Sequence, residues 1–217
     1  MQHGMLFNSL SSPVPGVDVE QMICSLSEPV DPSALRRAWN VVAARHAILR
    51  TQFRWTSVDD PVQEVCDSVD VPFAVRDLRD VAEAEARAEI EAFLTEDRRR
   101  GFRLDEAPLM RLCLFRMGES TWELVWTFHH AILDGRSFPL VLREVFAAIE
   151  DGWDHAAPTP RAYGDYIQWL HRGDAPCSEA FWREQLRGFT APTPLGGARP
   201  ASDPAPSFRE RELRLSG

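Results

Sequence analysis

The sequence holds no lysine: all 24 of its basic residues are arginine, against 33 acidic ones. That bias reads as the nucleotide composition of a GC-rich source and not as a functional choice. The net charge of -9 argues against nucleic acid as the main partner, because affinity for a phosphate backbone rests on basic residues. No window approaches about 18 consecutive apolar residues, so no transmembrane helix and no membrane partner are expected. The N-terminus carries neither a basic region nor a long apolar stretch, which excludes a signal peptide and leaves a cytoplasmic location as the expectation. Cysteine is sparse. Cys24, Cys66, Cys113 and Cys177 are widely spaced and form no CxxC pair, so metal-site and redox spacing are missing. Cys24 and Cys113 fall in apolar strand patterns and read as small buried hydrophobes. No internal repeat is visible.

Aromatic residues, by contrast, are plentiful. Seven Trp and twelve Phe, within 44% hydrophobic content over 217 residues, describe a globular chain with one sizeable core, or one lobe of something larger. Val17 to Leu26 reads as a strand ended by Pro29. Asp31-Pro32 is a helix start of cap plus proline, and the helix runs to about His46 with Leu35, Ala38, Trp39 and Val42 on one face. Arg50 to Trp55 and Val62 to Asp67 flank the Asp59-Asp60-Pro61 turn signal and predict a hairpin. Val81 to about Arg98 is an Ala/Glu/Arg-rich helix. Leu109 to Met117 and Thr121 to Phe128 predict a second hairpin around Gly118. Further helices are expected over Ser137 to Ile149, Tyr163 to His171 and Ser178 to Leu186. Strands with flanking helices make an α/β sandwich. Thr190 to Pro206 is rich in Pro, Gly and Ala and looks like a linker, followed by a strand-like alternation over Phe208 to Leu215.

The segment His129-His130-Ala131-Ile132-Leu133-Asp134-Gly135 places chemistry where core packing is expected. The alternation of Trp122 to Phe128 predicts a strand before it, and the apolar stripe of Phe138, Val141, Leu142, Val145, Phe146 and Ile149 predicts a helix after it. The motif therefore occupies a strand-to-helix junction, where a histidine can be presented at the end of a sheet and handle a proton near neutral pH. Two roles are open for Asp134: polarising the histidine, or holding the loop by pairing with a buried arginine. Gly135 is expected to supply a positive φ or a close approach. Adjacent strand residues point to opposite faces, so His129 faces away from His130 and a shared metal is not expected. His3, His46, His155 and His171 have ordinary surface or packing readings.

Three further segments stand in a fixed order with this one: Gln2-His3-Gly4-Met5-Leu6-Phe7, Arg45-His46-Ala47-Ile48-Leu49-Arg50-Thr51-Gln52-Phe53 and Tyr163-Gly164-Asp165-Tyr166-Ile167-Gln168-Trp169. Together the four resemble the N-terminal signature and the RHExLRTxF, HHxxxDG and YxDYxxW motifs of the condensation domains of nonribosomal peptide synthetases. The resemblance runs over essentially the whole chain and implies one chloramphenicol-acetyltransferase-like lobe of a two-lobed domain. It implies that His130 is the catalytic residue, in a tunnel where a donor acyl or peptidyl thioester meets the amine of an acceptor aminoacyl thioester. Both substrates would arrive on phosphopantetheine arms of donor and acceptor carrier proteins, and no cofactor or metal would be bound by this chain. His130 would act as general base, or orient the amine and stabilise the tetrahedral intermediate. By the same resemblance Asp134 is structural and pairs with Arg50, with His129 and Gly135 in support, and Arg136 and Ser137 are candidates for the tunnel wall. The setting would be secondary metabolism, making an antibiotic or a siderophore.

Members of that family are about twice this long. The expectation is an N-terminal lobe over 1–189 and, over 190–217, a Pro-rich linker that starts the crossing to an absent C-terminal lobe, whether by excision or natural truncation. Ala47 replaces the motif's glutamate, Arg136 stands where a tryptophan commonly follows Asp-Gly, and Phe128 stands where many relatives carry a third histidine. The cluster Arg98-Arg99-Arg100 reads as a solvated helix end, with carrier-protein docking as the functional alternative. Three other functions share the pattern: an epimerisation domain of the same fold, a non-catalytic condensation-like recruitment module, and a free-standing acyltransferase that builds its site between subunits. A cyclisation domain is disfavoured, because its motif replaces both histidines with aspartates.

Overall fold

The computed structural model describes residues 2–12, 14–55, 61–150, 160–172 and 175–191. The chain divides into two compact units, Met1–Tyr166 and Ile167–Gly217. The first is built on a mixed four-stranded sheet of β1 (Val19–Leu26), β4 (Phe73–Asp77), β5 (Met110–Arg116) and β6 (Trp122–His129), in the order β1-β6-β5-β4. β6 runs antiparallel to both β1 and β5, and β4 adds to β5 in parallel. The predicted hairpin of β2 (Thr51–Trp55) and β3 (Pro61–Val65) forms a separate two-stranded sheet.

Alternation along β5 and β6 sends side chains to two different cores. Leu112, Leu114, Trp122, Leu124, Trp126 and Phe128 pack with Leu35, Trp39 and Val42 of α2 (Pro32–Arg45) and with Val141 and Val145 of α4 (Phe138–Glu150). Trp39 and Trp126 are fully buried, with ring centroids 4.7 Å apart. On the opposite face Cys113, Phe115 and Val125 meet Ala86 and Ile90 of α3 (Glu83–Arg100). Helices thus cover both faces of the sheet, the sandwich that the pattern of elements predicts. Burial pushes the Cys113 thiol up to about 11, so it stays protonated near pH 7.

The caps follow the sequence. Asp31 accepts from the Ser33 amide at 2.8 Å, with Pro32 opening α2, an arrangement worth about 1 kcal/mol. Helix α3 ends on Arg98, Arg99 and Arg100, all exposed. Arg98 donates to Gln21, and Arg99 pairs with Glu96. A buried ion pair fastens that end to the sheet: Arg111 Nε lies 2.6 Å from Asp97 Oδ1, while Nη1 and Nη2 donate to the carbonyls of Gly101 and Asp97. The Arg111 guanidinium also sits 4.2 Å above the Phe102 ring.

Helix α1 (Gln2–Ser11) is absent from the expectations, and Leu6 anchors it in the main core. The following turn needs glycine at Gly16, whose φ is +79 and where a Cβ would lie 2.5 Å from the Arg98 carbonyl oxygen. Helix α5 (Tyr163–Arg172) carries the Tyr-Gly-Asp-Tyr segment, and α6 (Ala175–Gln185) lies in the second unit. The turn after α6 closes at Gly188, which has a positive φ of 84. The proline-rich stretch beyond Ala191 and the alternation at Phe208 to Leu215 lie outside the described residues, as do the side chains of His3, His155, His171 and Cys177.

Candidate functional site

Strand β6 ends at His129, and the chain turns through His130 to Ser137 into α4. The two histidines diverge as the strand alternation requires. His129 is 1% exposed and lies on the α3 side of the sheet, where its ring meets Phe102 edge-on at 6.4 Å. His130 is half-buried.

Hydrogen-bond partners assign the tautomer of each ring. The Ala131 amide donates to His129 Nδ1 at 3.1 Å, so the proton of His129 sits on Nε2, which reaches Ser9 Oγ at 3.1 Å. Ser9 in turn donates to Asp18 Oδ2 at 2.9 Å. His130 has the opposite arrangement. Its Nδ1 lies 2.7 Å from the Leu133 carbonyl oxygen, which can only accept, so Nδ1 carries the proton. Nε2 is left with its lone pair and makes no hydrogen bond to a described residue. Burial holds the His129 ring neutral, with a pKa near 4 despite the opposing Asp18 carboxylate.

The turn itself is fixed from three directions. Its His130 amide donates to the Asp18 carbonyl at 2.7 Å, its His129 amide to Leu109 at 3.0 Å, and the Ala131 carbonyl accepts from Gln2 Nε2 at 2.9 Å. A cleft of about 370 Å³ opens beside His129, between the end of α1, the Gly16 turn and the segment after α3; Ser9, Phe102 and Asp105 help line it. His130 is not among its lining residues. Among the described residues no three His, Cys, Asp or Glu side chains are grouped to hold a metal ion, and no helix is long and apolar enough to cross a membrane.

Two expectations for the supporting residues are corrected. Asp134 and Arg50 form no ion pair. Asp134 is exposed, and its Oδ1 accepts from the Ser137 amide at 2.8 Å, Ser137 Oγ at 2.6 Å and the Arg136 amide at 3.1 Å. Those bonds, Ser137 foremost, hold its carboxyl below the usual carboxylate range. Arg50 closes the short 3-10 turn Ala47–Arg50 and donates through Nη1 to the carbonyls of Cys66 and Asp67. Each side chain is thus engaged by groups close at hand: Asp134 caps the entry to α4, and Arg50 ties β2 to the end of its hairpin. Gly135 has no positive φ, and a Cβ there would meet nothing within 4 Å, so neither expected reason for glycine applies within this chain. Arg136 is exposed beside it and Ser137 half-buried.

Sequence patterns missed Ser9 and Asp18, and placed Gln2 in the N-terminal segment without giving it a role. All three act through long-range contacts to the histidine turn, and periodicity carries no signal for such pairs. The one local hint is Pro15-Gly16, a turn signal that brings the next residues against β6.

A family model described as "Condensation domain" matches residues 1–216. One component of the linear gramicidin synthase of Brevibacillus parabrevis is 39% identical over 222 residues, covering 100% of this chain and 4% of that protein. Bacitracin synthase 1 of Bacillus licheniformis is 33% identical over 198 residues, covering 90% and 4%. Among solved structures, the starter condensation domain of rhizomide synthetase RzmA is similar in fold, with a TM-score of 0.74 at 21% identity, over 88% of this chain and 47% of that one. A chain in the complex of the X-domain and OxyB from teicoplanin biosynthesis is similar at a TM-score of 0.74 and 26% identity, over 92% and 45%. This chain therefore spans under half of the solved structures and a small part of each synthase.

Proposed function

The chain belongs to the condensation-domain family of nonribosomal peptide synthetases, and on that premise we propose that it supplies the His130-bearing half of an amide-forming site. The donor is an acyl or peptidyl thioester on one carrier protein, and the acceptor is the amine of an aminoacyl thioester on a second. The acceptor nitrogen adds to the donor carbonyl carbon, the carbon–sulfur bond breaks, and the nitrogen's proton ends on the departing thiol. The products are a lengthened thioester on the acceptor arm and a free donor thiol. The phosphopantetheine arms belong to the carriers, and this chain's part is to place and relieve the amine.

One observation carries this reading: the His130 ring is pinned through Nδ1–H to Leu133, while Nε2 keeps an unshared lone pair. Such a nitrogen accepts a hydrogen bond or a proton from an attacking amine. His129 cannot serve, because both its ring nitrogens are engaged and the ring is buried. A free α-amine has a pKa of about 7.7–8.0, so proton removal is a partial task near neutral pH and orientation of the amine is the remainder. Arg136 and Ser137, beside the motif, are proposed to face the substrates.

The likeness to a chain of the complex of the X-domain and OxyB favours a second reading, recruitment of another protein without catalysis. Reconstitution separates the two. The chain is mixed with a C-terminal condensation lobe and two loaded carrier proteins, and intact-mass spectrometry follows the acceptor carrier. Condensed product that disappears with His130→Ala supports amide formation. Exchange of an α-proton without condensation replaces it with epimerisation, and a stable complex that forms no product replaces it with recruitment.

A further inference from the structure

Asp18 lies where α1, β1 and the histidine turn meet. It has a positive φ of 60, a region that few residues other than glycine enter and that Asp and Asn tolerate best. Its carbonyl accepts the His130 amide at 2.7 Å, one step beyond the β1–β6 ladder in which Val19 faces His129. Its carboxylate accepts from Asn8 Nδ2 at 3.2 Å and from Ser9 Oγ at 2.9 Å. One residue therefore reaches both histidines, His130 through its backbone and His129 through the Ser9 hydroxyl.

We propose that Asp18 is a positioning residue for the condensation reaction, fixing His129 as its Nε2–H tautomer through Ser9 and thereby the direction of the His130 ring. The inference rests on the condensation reading for the reaction it serves. A carboxylate only accepts hydrogen bonds, so it commits the Ser9 proton to itself and leaves the Ser9 oxygen to receive His129 Nε2–H. Without the carboxylate the hydroxyl can turn and donate to Nε2, which moves the ring proton to Nδ1. That proton would face the Ala131 amide, donor against donor, where a hydrogen bond now stands at 3.1 Å. The conflict falls on the turn whose Leu133 carbonyl holds His130 Nδ1, so the aim of His130 Nε2 depends on the relay.

The test is a set of three variants in the chain labelled with 15N-histidine, read by long-range proton–nitrogen correlation and by the reconstituted reaction. Asp18→Gly keeps the left-handed backbone available and removes the carboxylate. Its expected result is loss of the Nε2–H pattern of His129 and a fall of about tenfold in kcat with KM for the loaded carriers unchanged. Asp18→Asn tolerates the same φ and keeps an acceptor oxygen, and it restores both readouts. Ser9→Ala added to Asp18→Gly removes the hydroxyl that would donate to Nε2, so the double variant regains the Nε2–H pattern. A wild-type ring pattern in Asp18→Gly overturns the proposal, as does a ring change that persists when Ser9→Ala is added, or a loss in Asp18→Asn equal to that in Asp18→Gly. Should Asp18→Gly fail to fold, the wild type and Asp18→Asn decide: an Nδ1–H pattern for His129 in either overturns the proposal. Wild-type protein that makes no amide would refute the condensation reading, while the ring pattern would still decide the relay.

Discussion

Lowering the pH from about 6.5 to 4 is expected to weaken the fold through His129, by an amount that follows from its burial. An unfolded histidine titrates near 6.5, whereas His129 in the folded protein titrates near 4, chiefly because burial penalises the charged ring. Between those values the unfolded chain binds a proton that the folded chain refuses. Stability from this group is therefore complete above about pH 6.5 and falls as the pH drops through the window. Each unit is worth about 1.4 kcal/mol, so the loss approaches ~3 kcal/mol at pH 4. Urea denaturation at stepped pH, followed by the near-ultraviolet dichroism of the closely packed Trp39 and Trp126, measures it. His129→Gln, which does not titrate, is the control. Carboxylates held low by their partners, Asp31 and Asp134 among them, change alike in both proteins and cancel in the difference. Equal pH dependence in wild type and variant, or a His129 ring that titrates near 6.5, would refute the reasoning.

Three other substitutions have expected outcomes. Asp134→Ala removes a cap and no buried ion pair, so it should cost about 1 kcal/mol in thermal or urea unfolding; a loss of about 3–5 kcal/mol would restore the buried-pair reading. Arg111→Leu strands the Asp97 carboxylate, 5% exposed, and should cost about 3–5 kcal/mol, with early loss of amide protection at the end of α3 in hydrogen exchange. Gly135→Ala places a methyl in open space at an ordinary backbone angle and should leave stability within about 0.5 kcal/mol. A defect of that variant confined to the reconstituted reaction would show that Gly135 serves an approaching substrate or lobe.

Local chemistry made much of the fold legible. Asp31-Pro32 marks the start of α2, the apolar stripe from Phe138 to Ile149 marks α4, and the alternation before His129 marks β6 to within a residue. Strand β4 gave no comparable signal. Four of its five residues are exposed, and its parallel pairing to β5 is a contact between distant segments. The site divided in the same way. The opposed directions of His129 and His130 follow from strand geometry alone. The partners of Asp134 do not: a carboxylate at a junction can bond to its own turn or to a remote arginine, and residue type does not choose. Here three donors lie within three residues, at little ordering cost, and the near partners prevail. Asp18 was illegible because its importance comes from a positive φ and from contacts to residues 9 and 130, none of which leaves a periodic trace.

The single-turnover rate of amide formation, compared between the wild-type chain and His130→Ala in the reconstituted two-lobe system, bears on the proposal with the fewest intermediate steps. Loss of the free Nε2 should slow the reaction about 10²–10⁴-fold if proton transfer is its task, with unchanged unfolding and unchanged binding of the loaded carriers. A smaller loss of about tenfold would leave His130 the role of orienting the amine. A variant that condenses at the wild-type rate would contradict the assignment of the reaction to His130.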